Sequence, residues 1–180
     1  MTARQHVMWQ SLDEQKLGLE HLLTGQGWAS GTVIGKAPEG PFTLRYRLEV
    51  DGKGSLVAAV LRLSGQASLT LTRSASGRWH GNGGEELSDL SGCTDLDLNV
   101  TPYTNTLALR RLDLHPGEAG EILAVVVEVP SLTRRVTRQR YTRLGPHTYR
   151  YENLGAGFST ELKVDDDLLV REYPGLFVQI

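Results

Sequence analysis

Two acidic residues that could act as a general acid and base stand close together in "CTDLDLN", as Asp95 and Asp97. On a β-strand, residues i and i+2 point to the same face, so the two carboxyl groups would share one surface. Two like charges held together raise the pKa of one group, which suits acid/base catalysis. We favour the alternative, in which the strand face is solvated or Asp97 pairs with an arginine.

Two adjacent arginines, Arg110 and Arg111, end the stretch "TPYTNTLALRRL". A guanidinium group binds phosphate or carboxylate through two parallel hydrogen bonds, so either residue could hold an anionic headgroup. On a regular strand the two would face opposite sides, whereas a bulge or one short helical turn would aim both at the mouth of a cavity. We expect the inward arginine to meet the carboxylate of Asp97 or Glu152.

A second arginine-rich stretch, "TRRVTRQRYTR", alternates as a strand does. Arg135 and Arg143 fall on one face with Tyr141, and the other three arginines fall on the opposite face. We interpret this strand as a solvated face with cross-strand ion pairs, because no aromatic platform alternates with a basic groove as in single-strand nucleic-acid binders. Arg143 and Tyr141 are the residues that we expect to face a lumen.

Motifs for metals, phosphates and nucleophiles are absent from the sequence. The five histidines form no metal-ligand spacing with other ligand-type residues. The only cysteine, Cys93, lies in "SGCTD", which has no nucleophile signature, and we expect it to be a buried small hydrophobe. The acidic run "VDDDLL" fits a turn better than a calcium loop. We expect no metal, no cofactor and no catalytic residue.

The elements that must position these groups are β-strands. In "FTLRYRLEV", apolar residues from Phe42 to Val50 alternate with polar ones, as in a strand with one buried face. "EILAVVVEV" is apolar on both faces, which predicts a strand covered on both sides. Turn signals rich in Gly, Asn, Asp and Pro separate these runs. Short helices are candidates only around Asp13 to Leu22, where a strand fits equally well, and after Thr104.

The fold that we predict is all-β: one domain over residues 1–180, forming an antiparallel β-barrel or curved half-barrel with at most one or two short helices. Closure or curling protects the sheet edges. A two-sheet sandwich is the alternative. The net charge of -2 argues against nucleic acid and anionic membranes as partners. No apolar run approaches a membrane span and no secretory signal is visible, so we expect a cytoplasmic protein without integral membrane association.

Tyrosine and tryptophan residues occur in nearly every predicted strand. Their rings combine a large apolar area with a polar tip. In a small barrel they would fill the core, and in a larger or open barrel they would line an amphipathic cavity. The pattern of aromatic residues is compatible with both.

A series of short motifs follows in order through the second half of the chain. They are Gly92-Cys93, Asp97, Thr101-Pro102-Tyr103-Thr104-Asn105-Thr106, Arg110-Arg111-Leu112, Gln139-Arg140-Tyr141, Tyr149-Arg150-Tyr151-Glu152 and Tyr173-Pro174. In these residues the sequence resembles the bacterial glycolipid-binding family, with a looser match in the first half through Trp9, "GLE" at 18–20 and Trp79. Family members tend to have a proline where this chain has Ala108, which changes a local backbone restraint.

The resemblance implies a barrel-like fold related in shape to the bacterial lipoprotein carriers, with a hydrophobic cavity. The function that it implies is non-enzymatic binding of an amphipathic ligand, a lipid or glycolipid, with apolar walls around the acyl chain and polar groups at the mouth. Asn105, Tyr151 and Glu152 would bond sugar hydroxyls. The full set of expected ligand-binding residues is Trp79, Asp97, Tyr103, Asn105, Arg110, Arg111, Tyr141, Arg143, Tyr149, Tyr151, Glu152 and Tyr173.

Two other functions stay open at the level of the sequence. A protein-interaction or structural module would use the arginine-rich strand as its contact surface. A hydrolase or isomerase would use Asp97 or Glu152 with an arginine, because burial can raise the pKa of a carboxyl group into the range of a general acid or base. The enzyme hypothesis requires that both carboxyl groups point into one pocket.

Overall fold

A computed structural model describes residues 4–14, 18–65 and 68–180. The strands and the helix of these residues follow one another along the chain. They are β1 (Gln5–Ser11), β2 (Gly18–Gly25), β3 (Trp28–Ala37), β4 (Gly40–Val50), β5 (Leu56–Leu63), β6 (Ser68–Arg73), β7 (Trp79–His80), β8 (Asp95–Leu98), α1 (Tyr103–Leu112), β9 (Ala119–Glu128), β10 (Thr133–Arg143), β11 (Thr148–Asn153), β12 (Phe158–Val164), β13 (Val170–Tyr173) and β14 (Phe177–Gln179).

All the strands of the described residues belong to one sheet, in the order β7-β6-β5-β4-β3-β2-β1-β14-β13-β12-β11-β10-β9-β8. The sheet is curved, and its end strands β7 and β8 do not pair with each other, so it forms a half-barrel rather than a closed barrel. This confirms the all-β class and the curved half-barrel. The sandwich alternative is wrong, because a sandwich needs two separate sheets.

One strand pair departs from the predicted antiparallel arrangement. β8 and β9 run parallel, with Leu96 opposite Val125 and Leu98 opposite Val127. Parallel neighbours need a crossover connection, which is usually a helix, and α1 supplies it here. The prediction of an antiparallel sheet therefore fails only where the chain crosses over.

Strand β9 lies between two hydrophobic cores. Val125 and Val127 pack into a first core with the apolar residues of β1 to β6 and with Trp79. Ile122 and Ala124 pack into a second core with α1 and the strands β10 to β14. The prediction that this strand is covered on both sides is confirmed.

The helix α1 replaces the bulge or single turn that we expected near the two arginines. It has ten residues and starts directly after Pro102. It ends at Asp113, which adopts a left-handed conformation with φ 45° and donates its N–H to the carbonyl oxygen of Leu109 at 3.1 Å. Ala108 and Leu109 are buried on its inner side. The other helix candidate is partly resolved in favour of the strand, because β2 starts at Gly18, while residues 15–17 lie outside the described residues.

Candidate ligand-binding sites

An apolar cavity of about 310 Å³ lies between the β2–β3 turn, the end of β4 and the outer side of α1. We call it the Trp28 pocket. Its inner end carries the buried side chains of Thr24 and Tyr103, whose hydroxyl oxygens are 2.8 Å apart. Its volume falls at the lower end of the range for small-molecule sites. The apolar lining residues are Trp28, Ala29, Leu48, Val50 and Leu107.

The tight turn before β3 sets the position of the Trp28 indole. A Cβ atom on Gly25 would lie 2.9 Å from the indole ring, so the close approach of the ring depends on this glycine. The guanidinium carbons of Arg47 and Arg4 lie 5.3 and 6.0 Å from the centre of the ring. Two guanidinium groups therefore lie near the indole ring, and that of Arg47 also pairs with Glu49 at 2.9 Å.

Arg110 lies at the exposed mouth of the Trp28 pocket. Its Nε and Nη2 atoms donate to the carbonyl oxygen of Asp167 at 3.0 and 2.7 Å. The side chain of Asp167 in turn accepts a hydrogen bond from Gln5. These contacts fix the guanidinium group against the loop before β13, and they bring two predicted site residues, Tyr103 and Arg110, into one cavity.

Arg111 points elsewhere, because successive residues of a helix are about 100° apart. Its Nε and Nη2 atoms donate to Oδ1 and Oδ2 of Asp95 at 3.0 and 2.6 Å, and both side chains are largely buried. The prediction that an arginine meets Asp97 or Glu152 is therefore wrong, and the carboxylate is that of Asp95. Arg111 holds the helix against β8 and lines neither of the two ligand cavities described in this section.

A second cavity of about 180 Å³ lies on the other side of the start of α1, and we call it the Asp97 cleft. Four of the predicted site residues line it: Asp97, Asn105, Tyr151 and Tyr173. Tyr141, a fifth, lies behind it and donates its hydroxyl hydrogen to Asn105 Oδ1 at 2.8 Å. The motifs of the second half thus converge on one cleft, although they come from β8, α1, β10, β11 and β13.

The carboxyl group of Asp97 is held inside this cleft by Gln139, whose Nε2 donates to Oδ2 at 2.7 Å. Burial raises the pKa of Asp97 above its ordinary value, and the hydrogen bond from Gln139 offsets part of that shift. Across the cleft, Arg135 and Glu128 form an ion pair at 3.4 Å. The cleft therefore combines partly neutralised acids with aromatic rings.

A small chamber of about 30 Å³ adjoins the cleft and contains Glu20, a residue that the sequence analysis did not select. Only 2% of Glu20 is exposed. Tyr46 donates its hydroxyl hydrogen to Glu20 Oε1, and Tyr46 fits there because Gly31 has no side chain: a Cβ on Gly31 would lie 2.3 Å from the tyrosine ring. Burial raises the pKa of Glu20 from 4.5 to about 7.

No simple sequence signal points to Glu20. In "GLEHLL", Leu19 and Leu23 alternate as regularly as Glu20 and Leu22 do, so the pattern permits either face to be inward. The pairing of Glu20 with Trp9 on one side and Val33 on the other decides the matter. Leu19 is consequently 47% exposed while the glutamate is buried.

Besides Arg111 and Tyr141, four further predicted site residues line neither the Trp28 pocket nor the Asp97 cleft. Trp79 is buried in the first core and donates its indole N–H to the carbonyl oxygen of Cys93 at 3.0 Å. Arg143 donates to the carbonyl oxygen of Leu114 at 2.8 Å and lies over the ring of the buried Tyr149. Glu152 is on the face of β11 opposite to Tyr151, across from Arg140. Their contacts are those of structural residues.

The acid/base hypothesis fails on this geometry. Asp95 and Asp97 share a face of β8, as predicted, opposite Ala124 and Val126. Asp95 is paired with Arg111, and Glu152 does not line the Asp97 cleft. The predicted residues therefore do not place two unpaired carboxyl groups in one pocket, as this hypothesis requires.

Three of the five arginines of β10, namely Arg134, Arg135 and Arg140, take part in ion pairs, as the sequence predicted for this strand. Arg140 pairs with Glu121, its cross-strand neighbour, and Arg134 lies 3.7 Å from Asp89. Over residues 4–14, 18–65 and 68–180, no group of three or more His, Cys, Asp or Glu side chains is arranged to hold a metal ion. In the same ranges, α1 and every other helical segment is too short or too polar to cross a membrane.

Comparison with known proteins finds a solved structure with the same fold. A DUF1089 family protein from Pseudomonas aeruginosa, known from its crystal structure, is 37% identical, with a TM-score of 0.86 over 93% of each chain. No curated protein matches this chain. A family model described as "Putative glycolipid-binding" matches residues 6–179, which is almost the full length of the sequence. The chain therefore belongs to this glycolipid-binding family.

Proposed function

We propose that the protein binds an amphipathic molecule of the lipid or glycolipid class without converting it, and that the Trp28 pocket holds the apolar part. The observation that carries the proposal is an apolar cavity that ends on an exposed arginine. Such a cavity matches the two halves of an anionic amphiphile. The family description, glycolipid binding, supports the same class of ligand.

The walls of the pocket supply the free energy for the apolar part. Trp28, Leu48 and Leu107 present adjoining apolar surface, and each methylene group removed from water contributes about 0.8 kcal/mol. The volume of about 310 Å³ suits one short chain or the end of a longer one. Thr24 and Tyr103 satisfy each other at the inner end, so an apolar chain leaves no polar group newly unpaired there.

The mouth of the pocket favours an anionic headgroup. Arg110 uses Nε and Nη2 to bind the Asp167 carbonyl, which leaves Nη1 to donate to a phosphate or carboxylate oxygen. The guanidinium carbon of Arg47 lies 5.3 Å from the centre of the Trp28 ring, but the ion pair of Arg47 with Glu49 offsets its charge, so Arg110 is the cation that would hold the headgroup. Asn105 and Tyr151, which the sequence analysis assigned to sugar hydroxyls, line the other cavity and take no part in this pocket.

Fluorescence titration of the full chain with dodecanoate tests the proposal. Trp28 is half-buried at the pocket whereas Trp9 and Trp79 are buried in the core, so a ligand in the pocket changes the emission of one of the three indoles. We expect dodecanoate to bind and dodecyltrimethylammonium, which has an equal chain length and the opposite charge, to bind more weakly. The titration is kept below the concentration at which either amphiphile forms micelles.

Two variants make the test specific. Arg110→Gln removes the cation at the mouth and should weaken dodecanoate binding about tenfold or more, since a hydrogen bond to a charged group contributes about 1.5–3 kcal/mol. Arg138→Gln changes an exposed arginine on β10 and is the matched control. Equal dodecanoate affinity in both variants and in the wild-type protein would reject the pocket as the binding site.

A further inference from the structure

The Glu20 chamber carries an inference that goes beyond amphiphile binding and concerns a separate cavity. We propose that Glu20 anchors a binding site for a protonated primary amine, whose ammonium group enters the chamber while its carbon chain lies in the Asp97 cleft. The chamber and the cleft share no lining residue with the Trp28 pocket. The two proposals can therefore fail independently.

One of the two carboxyl oxygens of Glu20 makes no hydrogen bond with the described residues. Tyr46 bonds Glu20 Oε1, and the Thr101 hydroxyl group is close enough to lower the pKa of Glu20, but no described group meets hydrogen-bond geometry at the buried Oε2. A buried acceptor left unpaired costs about 1–3 kcal/mol, so native structures rarely keep one without a reason. Since Glu20 lines the chamber, a ligand that donates a hydrogen bond to Oε2 would remove this cost.

The size and the walls of the chamber restrict the kind of ligand that can bind there. Its volume of about 30 Å³ is close to the share of one water molecule in the liquid, so it admits one small group such as –NH₃⁺. Trp9, Phe42 and Phe177 contribute aromatic rings to the walls. Aromatic walls around a carboxylate favour a cation, because the ring faces are electron-rich.

The charges around the chamber also favour a cation. The chamber adjoins the Asp97 cleft, with which it shares Asp13, Asn99, Leu176 and Phe177 as lining residues. The described acids that line the two cavities are Asp13, Glu20, Asp97 and Glu128, and Arg135 is the only described cation among the lining residues. Because Arg135 is paired with Glu128, it is the ionised form of Glu20 that favours an ammonium group over a phosphate or carboxylate in the chamber.

Protonation of Glu20 couples to binding. The titratable group that bonds Glu20 is Tyr46 from β4, with Tyr103 of α1 near Tyr46, Asp13 at the shared border of the two cavities and Asp97 in the cleft. With its pKa raised to about 7, Glu20 is largely protonated in slightly acidic solution. An ammonium group favours the ionised form, so the protonated carboxyl releases its proton to solvent as R–NH₃⁺ binds, and charge and protons balance.

Calorimetric titration of the full chain with n-butylammonium chloride, in phosphate buffer from pH 6 to pH 8, tests the inference. We expect the affinity to rise about tenfold across this range, because the ionised fraction of a group with a pKa of about 7 rises from roughly one-tenth to nine-tenths. n-Butanol, butyrate and tetramethylammonium should bind at least tenfold more weakly at pH 8. They lack the charge, carry the wrong charge or lack an N–H donor.

Variants separate this site from the rest of the protein. Glu20→Gln keeps the shape of the side chain and should abolish butylammonium binding, whereas Glu161→Gln, at an exposed carboxylate on β12, should not change it. Arg110→Gln should also leave it unchanged, and Glu20→Gln should leave dodecanoate binding unchanged.

Three results would overturn the inference. They are equal binding of butanol and butylammonium by the wild-type protein, an affinity that does not change with pH, and retention of amine binding by Glu20→Gln. The first two need no variant, so the inference stays falsifiable even if Glu20→Gln does not fold.

Discussion

The neighbouring residues Arg110 and Arg111 have different partners, and the buried pair is the one that matters for stability. Replacing Arg111 by Met leaves the carboxylate of Asp95, 5% exposed, without its bidentate partner. An uncompensated buried charge costs about 3–5 kcal/mol, so we expect the free energy of unfolding of Arg111→Met to fall by about that amount. Urea denaturation followed by circular dichroism measures it.

Arg140→Met is the matched control for this prediction. Arg140 also pairs with a carboxylate, that of Glu121, but both side chains are 41% exposed. Water solvates the glutamate once its partner is removed, so the loss should be far smaller than for Arg111→Met. The double variant Asp95→Asn with Arg111→Met should recover part of the stability. Equal losses in the two single variants would contradict the assignment.

Glu20 makes stability depend on pH in a direction that is unusual for a carboxyl group. Its pKa is raised to about 7 in the folded protein from 4.5, so the folded state keeps the proton that the unfolded state has lost between these values. Stability from this group is present below pH 4.5 and is lost as the pH rises to about 7, by about 3 kcal/mol in total.

Glu20→Gln removes that dependence. We expect the free energy of unfolding of the variant, relative to that of the wild-type protein, to rise by about 3 kcal/mol between pH 4.5 and pH 7. The difference should stay constant at higher pH. Urea denaturation of both proteins at a series of pH values measures the difference, in which the contribution of Asp97 and other acids cancels. Parallel pH profiles would show that Glu20 titrates normally.

At the level of elements, the strands were predictable, whereas the helix after Thr104 was only a candidate and its ten-residue extent was not predicted. Alternation in "FTLRYRLEV" and the doubly apolar run in β9 follow from which faces are buried, so local sequence carries the information. In α1, Leu107 and Leu109 stand two apart and imitate a strand. The buried side of α1 follows helical spacing and includes Asn105, Ala108 and Leu109. Asn105 is polar, and its hydrogen-bond partner Tyr141 lies 36 residues away in the sequence.

The two leucines of α1 should differ sharply when they are shortened. Leu109 is 1% exposed in the second core, so Leu109→Ala creates a cavity and should cost about 2–5 kcal/mol of unfolding free energy. Leu107 is half-buried at the Trp28 pocket, and Leu107→Ala should cost about 1 kcal/mol while it weakens dodecanoate binding. Urea denaturation and the fluorescence titration measure the two effects. Equal destabilisation would mean that α1 is not oriented as described.

The sequence motifs indicate which residues cluster in space, but not which of them tertiary pairing turns inward. Asp97, Asn105, Tyr151 and Tyr173 meet in one cleft although they come from separate motifs. Glu152 does not line this cleft, because its neighbour Tyr151 takes the inward face and successive residues of a strand point to opposite faces. Glu20 was missed because the register with β1 and β3 is a long-range property that the local pattern leaves open.

At the level of the whole molecule, the curvature of the sheet brings β5 next to the segment that precedes β8. The backbone N–H of Leu56, at the start of β5, donates to the carbonyl oxygen of Thr94, just before β8, at 3.3 Å. Trp9 of the first core donates its indole N–H to the carbonyl oxygen of Val170 in the second core at 2.7 Å. Because β9 also contributes a face to each core, we expect the two cores to unfold together.

Leu162→Ala tests this cooperativity. Leu162 is fully buried in the second core, whereas Trp9 and Trp79 belong to the first, so tryptophan emission reports on a core that the substitution does not touch. The cavity should cost about 2–5 kcal/mol, and in a single cooperative unit the urea midpoints from fluorescence and from circular dichroism should fall by the same amount. If the second core unfolded alone, circular dichroism would show an early step while the tryptophan midpoint stayed at its wild-type value, and the account of β9 as the shared strand of both cores would be wrong.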